Sequence, residues 1–249
     1  KNCPVEAYQP IADSPLILLE GKSNSVVNGN VLKERLYIVN PVTGTIVFSS
    51  NTSGMKDADQ KHFLNNVGLA ILFGKPSDGK GLLSICVDLK AGKLKWSKLD
   101  KYKYTNNIFA INKDEILLTS FAFITKINAN TGDEIWRKPL EQKYSKMEGW
   151  ISKTEKYAPK TPEEQIANIY FPYGKQDMCI VGTQRASEPI GSMPAAFPYV
   201  SIYVALNYNT GEYLWKNEVN FDYPIGMASA TDEGFLITSG SSGHYNMID

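Results

Sequence analysis

The chain has 249 residues, enough to bury a sizeable core in one all-β domain. Its 26 basic residues balance 26 acidic ones, so it lacks the basic surplus that nucleic-acid binding calls for. No run of eighteen apolar residues occurs, and none of the chain reads as a membrane-spanning helix.

Residues 1–14 hold two prolines and few aliphatics and read as an extended lead-in. Cys3 stands close to the first residue, as the anchored cysteine of a bacterial lipoprotein does. Asn2 is a poor residue before such a cysteine and no apolar leader precedes it, so the expectation is a processed or engineered start. The first firm strand is Pro15–Leu19, followed by a polar loop over 21–30. Leu36–Phe48 has the grammar of a hairpin: apolar residues alternate on both sides of Thr43-Gly44, and glycine supplies the positive φ that reverses the chain. Residues 49–66 read as a polar connection, with one helical turn conceivable over 57–64. The sequon Asn51-Thr52-Ser53 is a weak pointer to secretion.

Val67–Phe73 and Leu82–Trp96 read as strands of a second unit, and 107–136 as a third with four strands and tight turns. Its last hairpin, Ile124–Trp136, repeats the first phrase with Asn-Thr-Gly at the turn, and Ile202–Trp215 repeats it again. The turn glycines Gly44, Gly92, Gly132 and Gly211 are 48, 40 and 79 residues apart, the last close to twice forty. A period near forty with up to four strands per unit is the mark of propeller blades. Residues 226–230 and 234–239 open a further unit, and 244–249 resemble its third strand, with Asp249 where Asn128 and Asn207 stand. The expectation is therefore a β-propeller of four-stranded antiparallel blades, a single domain over 1–249. It has about five blades, with the lead-in supplying the missing outer strand, or is incomplete at its C-terminal end and a piece of a larger ring.

The phrase aliphatic-Tyr-x-aliphatic-Asp/Asn-x-x-Thr-Gly-x-x-x-Trp resembles the repeat of the PQQ-like (quinoprotein dehydrogenase-like) β-propeller family. Val204–Trp215 and Ile127–Trp136 carry it best. The resemblance implies that Trp96, Trp136 and Trp215 end the outer part of a blade and dock, largely buried, against its neighbour, with Phe48 as the aromatic plug of the first copy. Catalysis in that family would need vicinal cysteines, a Trp stacked on the quinone, and a carboxylate base among calcium ligands. The sequence has no adjacent cysteines and no acidic cluster in one loop, and it is shorter than an eight-bladed enzyme. The expectation is no redox cofactor, no bound catalytic metal and no catalytic residues. Cys86 and Cys179 lie inside apolar strands and read as buried free thiols, and His62 and His244 have no metal-ligand spacing.

Two segments break the period, 141–165 and 185–199. Thr161-Pro-Glu-Glu164 in the first has the form of a helix start. Long connections in compact folds tend to be functional, and these carry Trp150, Tyr157, Phe197 and Tyr199, residues of the kind that anchor interfaces. The chain thus reads as a non-catalytic scaffold binding a protein or glycan partner, in the manner of outer-membrane assembly factors or cell-surface propellers. Its expected location is extracytoplasmic: periplasmic, lipid-anchored or secreted. The alternative is a quinoprotein-like enzyme or small-ligand sensor using the central channel.

Overall fold

Alternating side chains flanking a turn glycine can bury one face only if strands pair, and the computed structural model shows how they do. It describes residues 5–11, 13–21, 25–27, 30–32, 35–102, 105, 107–120, 123–140, 167–172, 177–186, 199–221, 225–230, 235–239 and 245–248. The strands are β1 (Val5–Pro10), β2 (Ile17–Gly21), β3 (Ser25–Val27), β4 (Asn30–Leu32), β5 (Arg35–Asn40), β6 (Thr45–Ser49) and β7 (Met55–Leu64). There follow β8 (Leu69–Pro76), β9 (Leu83–Asp88), β10 (Lys93–Leu99), β11 (Asn107–Ala110), β12 (Glu115–Thr119), β13 (Phe123–Asn128) and β14 (Glu134–Pro139). The last seven are β15 (Ala167–Tyr170), β16 (Met178–Ala186), β17 (Tyr199–Asn207), β18 (Tyr213–Phe221), β19 (Ile225–Ala230), β20 (Phe235–Ser239) and β21 (Tyr245–Ile248).

They form four sheets of four strands, in the orders β1-β2-β5-β6, β7-β8-β9-β10, β11-β12-β13-β14 and β15-β16-β17-β18. A three-stranded sheet β19-β20-β21 and a small hairpin β3-β4 complete the set. Every meander order is the order of a propeller blade, and the fold class is the one expected: all-β, built of four-stranded antiparallel blades. The chain divides into two compact units: residues 1–103, 109–116 and 127–133, and residues 104–108, 117–126 and 134–249.

Three local expectations are corrected. The extended lead-in holds a strand: β1 pairs with β2 from Tyr8–Leu19 to Pro10–Ile17 and is the first strand of the first blade. The polar loop after β2 contains the β3-β4 hairpin. The connection before the second blade is a short 3-10 turn, Ser50–Ser53, followed by the ten-residue strand β7. Register shifts at 55/57 and 58/60 in β7 are bulges, which break the period-two signal that a sequence reading depends on.

In the first unit, Leu18, Leu36 and Ile38 of the first blade meet Ala70, Leu72, Ile85 and Val87 of the second in one buried cluster. Strand β9 is buried on both faces, Ile85 and Val87 on one side and Ser84 and Cys86 on the other. That is why it reads as a continuous apolar run. In the second unit Ile180, Tyr203 and Ala205 pack against Phe235 of β20. Tyr203 and Tyr170 meet the Phe235 ring at 5.1 and 5.0 Å, tilted or edge-on as ring quadrupoles prefer.

Candidate functional site

Each four-stranded blade makes the same turn before its fourth strand, and the chemistry of that turn begins with an Asn or Asp four residues before the glycine. Asn40 Oδ1 accepts from the amides of Val42 and Thr43, and Asp88 Oδ1 from those of Lys90 and Ala91. Asn128 Oδ1 accepts from Asn130 and Thr131, and Asn207 Oδ1 from Asn209 and Thr210. The side chain thus mimics a backbone turn and leaves the glycine in the left-handed region, φ +63 to +73°. The next residue ties the turn inward: the amides of Leu89, Ala129 and Tyr208 donate to the carbonyls of Gly68, Asp114 and Asp177. The Asn or Asp of the repeat phrase, and not glycine alone, therefore makes the turn.

The fourth strand then carries a bulge just before its aromatic residue. Val47, Lys95 and Leu214 are the extra residues, at register shifts between Ile38 and Val39, Leu94 and Trp96, and Ala205 and Leu206. A bulge re-aims the side chains beside it, and at Lys95 it leaves Trp96 facing the next blade's turn. The Trp96 indole lies over Gly132, where a Cβ would come within 2.6 Å of the ring, and its Nε1–H donates to the Ala129 carbonyl at 3.1 Å. The Tyr102 hydroxyl donates to the Gly132 carbonyl beside it. Trp136 covers Gly211 in the same way, and its Nε1–H donates to the Asn209 carbonyl at 3.2 Å. The Tyr213 hydroxyl donates to the Pro139 carbonyl there.

Trp96 is buried at 6% exposure, as expected, and Trp136 and Trp215 are buried less completely. Phe48 is also not the plug of the first junction. The side chain over Gly92 is Val47, and Phe48 turns into the core between the first two blades. Phenylalanine has no N–H to give to a turn carbonyl, so nothing polar holds its ring over the glycine.

Lysines complete the seam between the second blade and the third blade's turn. Lys95 Nζ donates to Asn130 Oδ1 at 2.6 Å, and Asn130 Nδ2 passes the contact to Asp114 Oδ1 at 2.9 Å. Lys98 meets Asp133 at 2.8 Å, and that hydrogen bond holds the exposed Asp133 carboxyl below the usual carboxylate range. These four lysines and acids are the wet side of a strand and turn, knitted to the neighbour.

The titratable groups that shift elsewhere are core groups. Burial pushes the thiols of Cys86 and Cys179 up to about 12, and both are free, as expected. A thiol held neutral is a poor nucleophile. Burial also lowers the pKa of His62, whose ring meets Phe73 edge-on at 5.9 Å and whose Nε2 has no hydrogen-bond partner among the described residues. No group of three His, Cys, Asp or Glu is placed to hold a metal among the described residues.

Of the four expected anchors, Trp150, Tyr157 and Phe197 lie outside the described residues. So do residues 141–166, including the expected helix start at Thr161. Tyr199 is not a loop residue: it opens β17, in register with Ala186 of β16 and Phe221 of β18. The period-breaking segment is therefore 187–198, shorter at both ends than 185–199.

The strand ends to which the two segments connect stand at one end of the fourth blade. The chain arrives from residue 166 at Ala167, leaves β16 at Ala186 and returns at Tyr199. Ala167 pairs near Thr183, so all three stand at the end opposite the Asn207 turn. Strand β18 finishes at Phe221 on the same end.

Neither a protein-family pattern nor a curated protein matches the chain. Among solved structures it is similar to BamB from Moraxella catarrhalis, at 11% identity and a TM-score of 0.41 over 94% of this chain and 73% of that one. It is also similar to the quinohemoprotein alcohol dehydrogenase ADHIIG of Pseudomonas putida HK5 (14%, TM-score 0.43, 94% of this chain and 41% of that one). A europium-containing methanol dehydrogenase matches at 11% and a TM-score of 0.44, over 97% of this chain and 52% of that one. The chain thus spans about half the length of each dehydrogenase or less. Scores this low add nothing to what the sheets and their repeated turn establish.

Proposed function

We propose that this chain of PQQ-like propeller blades is a non-catalytic binding scaffold for a protein or glycan partner outside the cytoplasm. Segments 141–165 and 187–198 form its recognition surface, with Trp150, Tyr157, Phe197 and Tyr199 as anchors. The supporting observation is that both segments meet the fourth blade at one end, the end away from its turn. Their stems are paired strands: Ala186 and Tyr199 sit opposite one another, and Tyr199 is paired again to Phe221. Loops held on such stems, with Pro189, Pro194 and Pro198 in the second, lose less entropy on binding than free chain does. The other inter-blade connections, 50–54, 100–106 and 222–224, are too short to carry such a surface.

The test replaces 187–198 by a short Gly-Ser turn and measures unfolding beside binding to a glycan array and to extracytoplasmic extract. Normal unfolding with loss of the ligands that the parent chain captures is the expected result. Trp150→Ala and Phe197→Ala should each weaken that capture roughly tenfold. A folded variant that retains every ligand removes the segment from the site. Stoichiometric binding of pyrroloquinoline quinone with calcium by the intact chain would favour the enzyme reading instead.

A further inference from the structure

The polar seam that closes the third blade's turn is missing from the fourth. At both turns the residue after the Asn donates its amide inward, Ala129 to the Asp114 carbonyl and Tyr208 to the Asp177 carbonyl, each at 2.7 Å. In the third blade the side chains around that bond satisfy one another: Asn130 Nδ2 donates to Asp114 Oδ1, and Lys95 Nζ to Asn130 Oδ1. Asn209 and Asp177 hold the same places in the fourth blade, yet neither side chain has a hydrogen-bond partner among the described residues. The preceding blade is in place there, with Trp136 over Gly211, but it presents Ile135 where the second blade presents Lys95. The apolar residues depart from the repeat as well. Leu89 and Ala129 are buried, whereas Tyr208 in the same position is half-buried, and among the described residues nothing bonds its hydroxyl. Its ring meets that of Phe171 edge-on at 6.2 Å, and Phe171 is 40% exposed where the first blade has the buried Ile11.

We propose that this turn binds a neutral sugar ring, Tyr208 and Phe171 taking its C–H face and Asp177 and Asn209 its hydroxyls. The chemistry of the four groups decides among ligands. A wholly apolar partner would take water from Asp177 and Asn209 and leave both unsatisfied. An anion would meet the Asp177 carboxylate, and a partner strand finds no edge, because β16 and β17, which Asp177 and Tyr208 adjoin, are inner strands of their sheet. A cationic side chain would suit the carboxylate and the ring but, being a donor only, would leave the Asn209 NH2 unanswered. Sugar hydroxyls both donate and accept, so a vicinal pair can give two O–H bonds to Asp177 and take one from Asn209. The C–H face of the sugar carries the slight positive charge that the face of an aromatic ring attracts. Asn207 Oδ1 already fixes the turn, so little ordering is needed on binding. All four residues stand at the Asn207 end of the blade, opposite the recognition surface above, so either site can fail without the other.

The experiment titrates the 249-residue chain, isotope-labelled, with the methyl glycosides of glucose, galactose, mannose and N-acetylglucosamine, and with the acyclic polyol glucitol as control. At least one pyranoside is expected to move the amide signals of Asp177, Tyr208 and Asn209 saturably. Glucitol, which has the hydroxyls but no ring face, should leave them in place. Tyr208→Leu installs the residue of the second blade's turn, and Asn209→Ala keeps the backbone carbonyl that Trp136 uses. Each should weaken the binding at least about tenfold with unfolding unchanged. No saturable shift with any pyranoside, equal shifts with glucitol, or variants that bind as well as the parent overturn the proposal. So does a response to N-acetylarginine amide alone, which would put a cationic partner in the site.

Discussion

The junctions at Gly132 and Gly211 use the same parts and enclose them differently. Both place an indole over a left-handed glycine and pass its N–H to a turn carbonyl. At Gly132 the indole is also flanked by Tyr102, edge-on at 6.2 Å, and by a lysine seam, and it is buried. At Gly211 the flanking contacts are the half-buried Lys138 and the exposed Tyr213, and the indole is less fully enclosed than Trp96. The shared turn therefore fixes direction, while neighbours outside the motif set how much apolar surface is buried and how much stability each copy contributes.

Truncating the two indoles should separate these contributions most widely. Trp96→Ala is expected to cost about 3–5 kcal/mol, the range for a buried large aromatic, and Trp136→Ala about 1–2 kcal/mol for its smaller buried area. Denaturant unfolding checks both, and equal costs would mean that flanking residues do not set the junction's strength.

Alanine at the glycines comes next. Gly132→Ala meets both the backbone penalty, ~1–2 kcal/mol for a left-handed residue, and the Trp96 ring at 2.6 Å. Gly44→Ala meets only the backbone penalty, so it should be the milder by at least about 1 kcal/mol, in the range of overpacking costs. A Gly44 change as severe as the Gly132 one would show that its turn is not open.

The smallest effect is alkaline. Cys86 Sγ lies 4.0 Å from the Ala129 carbonyl, beneath the Trp96 junction, and its thiol is raised from 9.0 to about 12 by burial, as is that of Cys179. A raised pKa gives stability that is full below pH 9 and lost as pH climbs toward 12. By pH 10 each thiol should have cost on the order of 1 kcal/mol. Cys86→Ala should flatten that part of the pH–stability curve, and an unchanged slope would argue against its burial.

The turns were legible because Gly, Asn and Thr act locally, and a period near forty survives whatever lies between. Strand β7 was not, since its two bulges break alternation and its Lys, Asp and Gln look like a loop. Strand β1 was hidden by Pro10, which sits at its very end. The Val47 cover over Gly92 could not be foreseen either, because a bulge decides which of two adjacent side chains faces the neighbour. For the recognition surface, composition pointed to the segments, but only strand pairing moved Tyr199 from loop to sheet.

Because the lid of every covered turn comes from the preceding blade, a blade cut out at its own boundaries would take its lid and leave its neighbour's glycine bare. The interchangeable module is thus offset from the visible one: it runs from one lid residue to the next turn, across the gap between sheets. Nearest-neighbour coupling of this kind lets repeats be gained or lost only in steps that keep lid and turn together. In recombination or in engineered chimeras, crossovers anywhere between a lid and the next turn glycine should separate partners, whereas crossovers between a turn glycine and the lid that follows it should keep them.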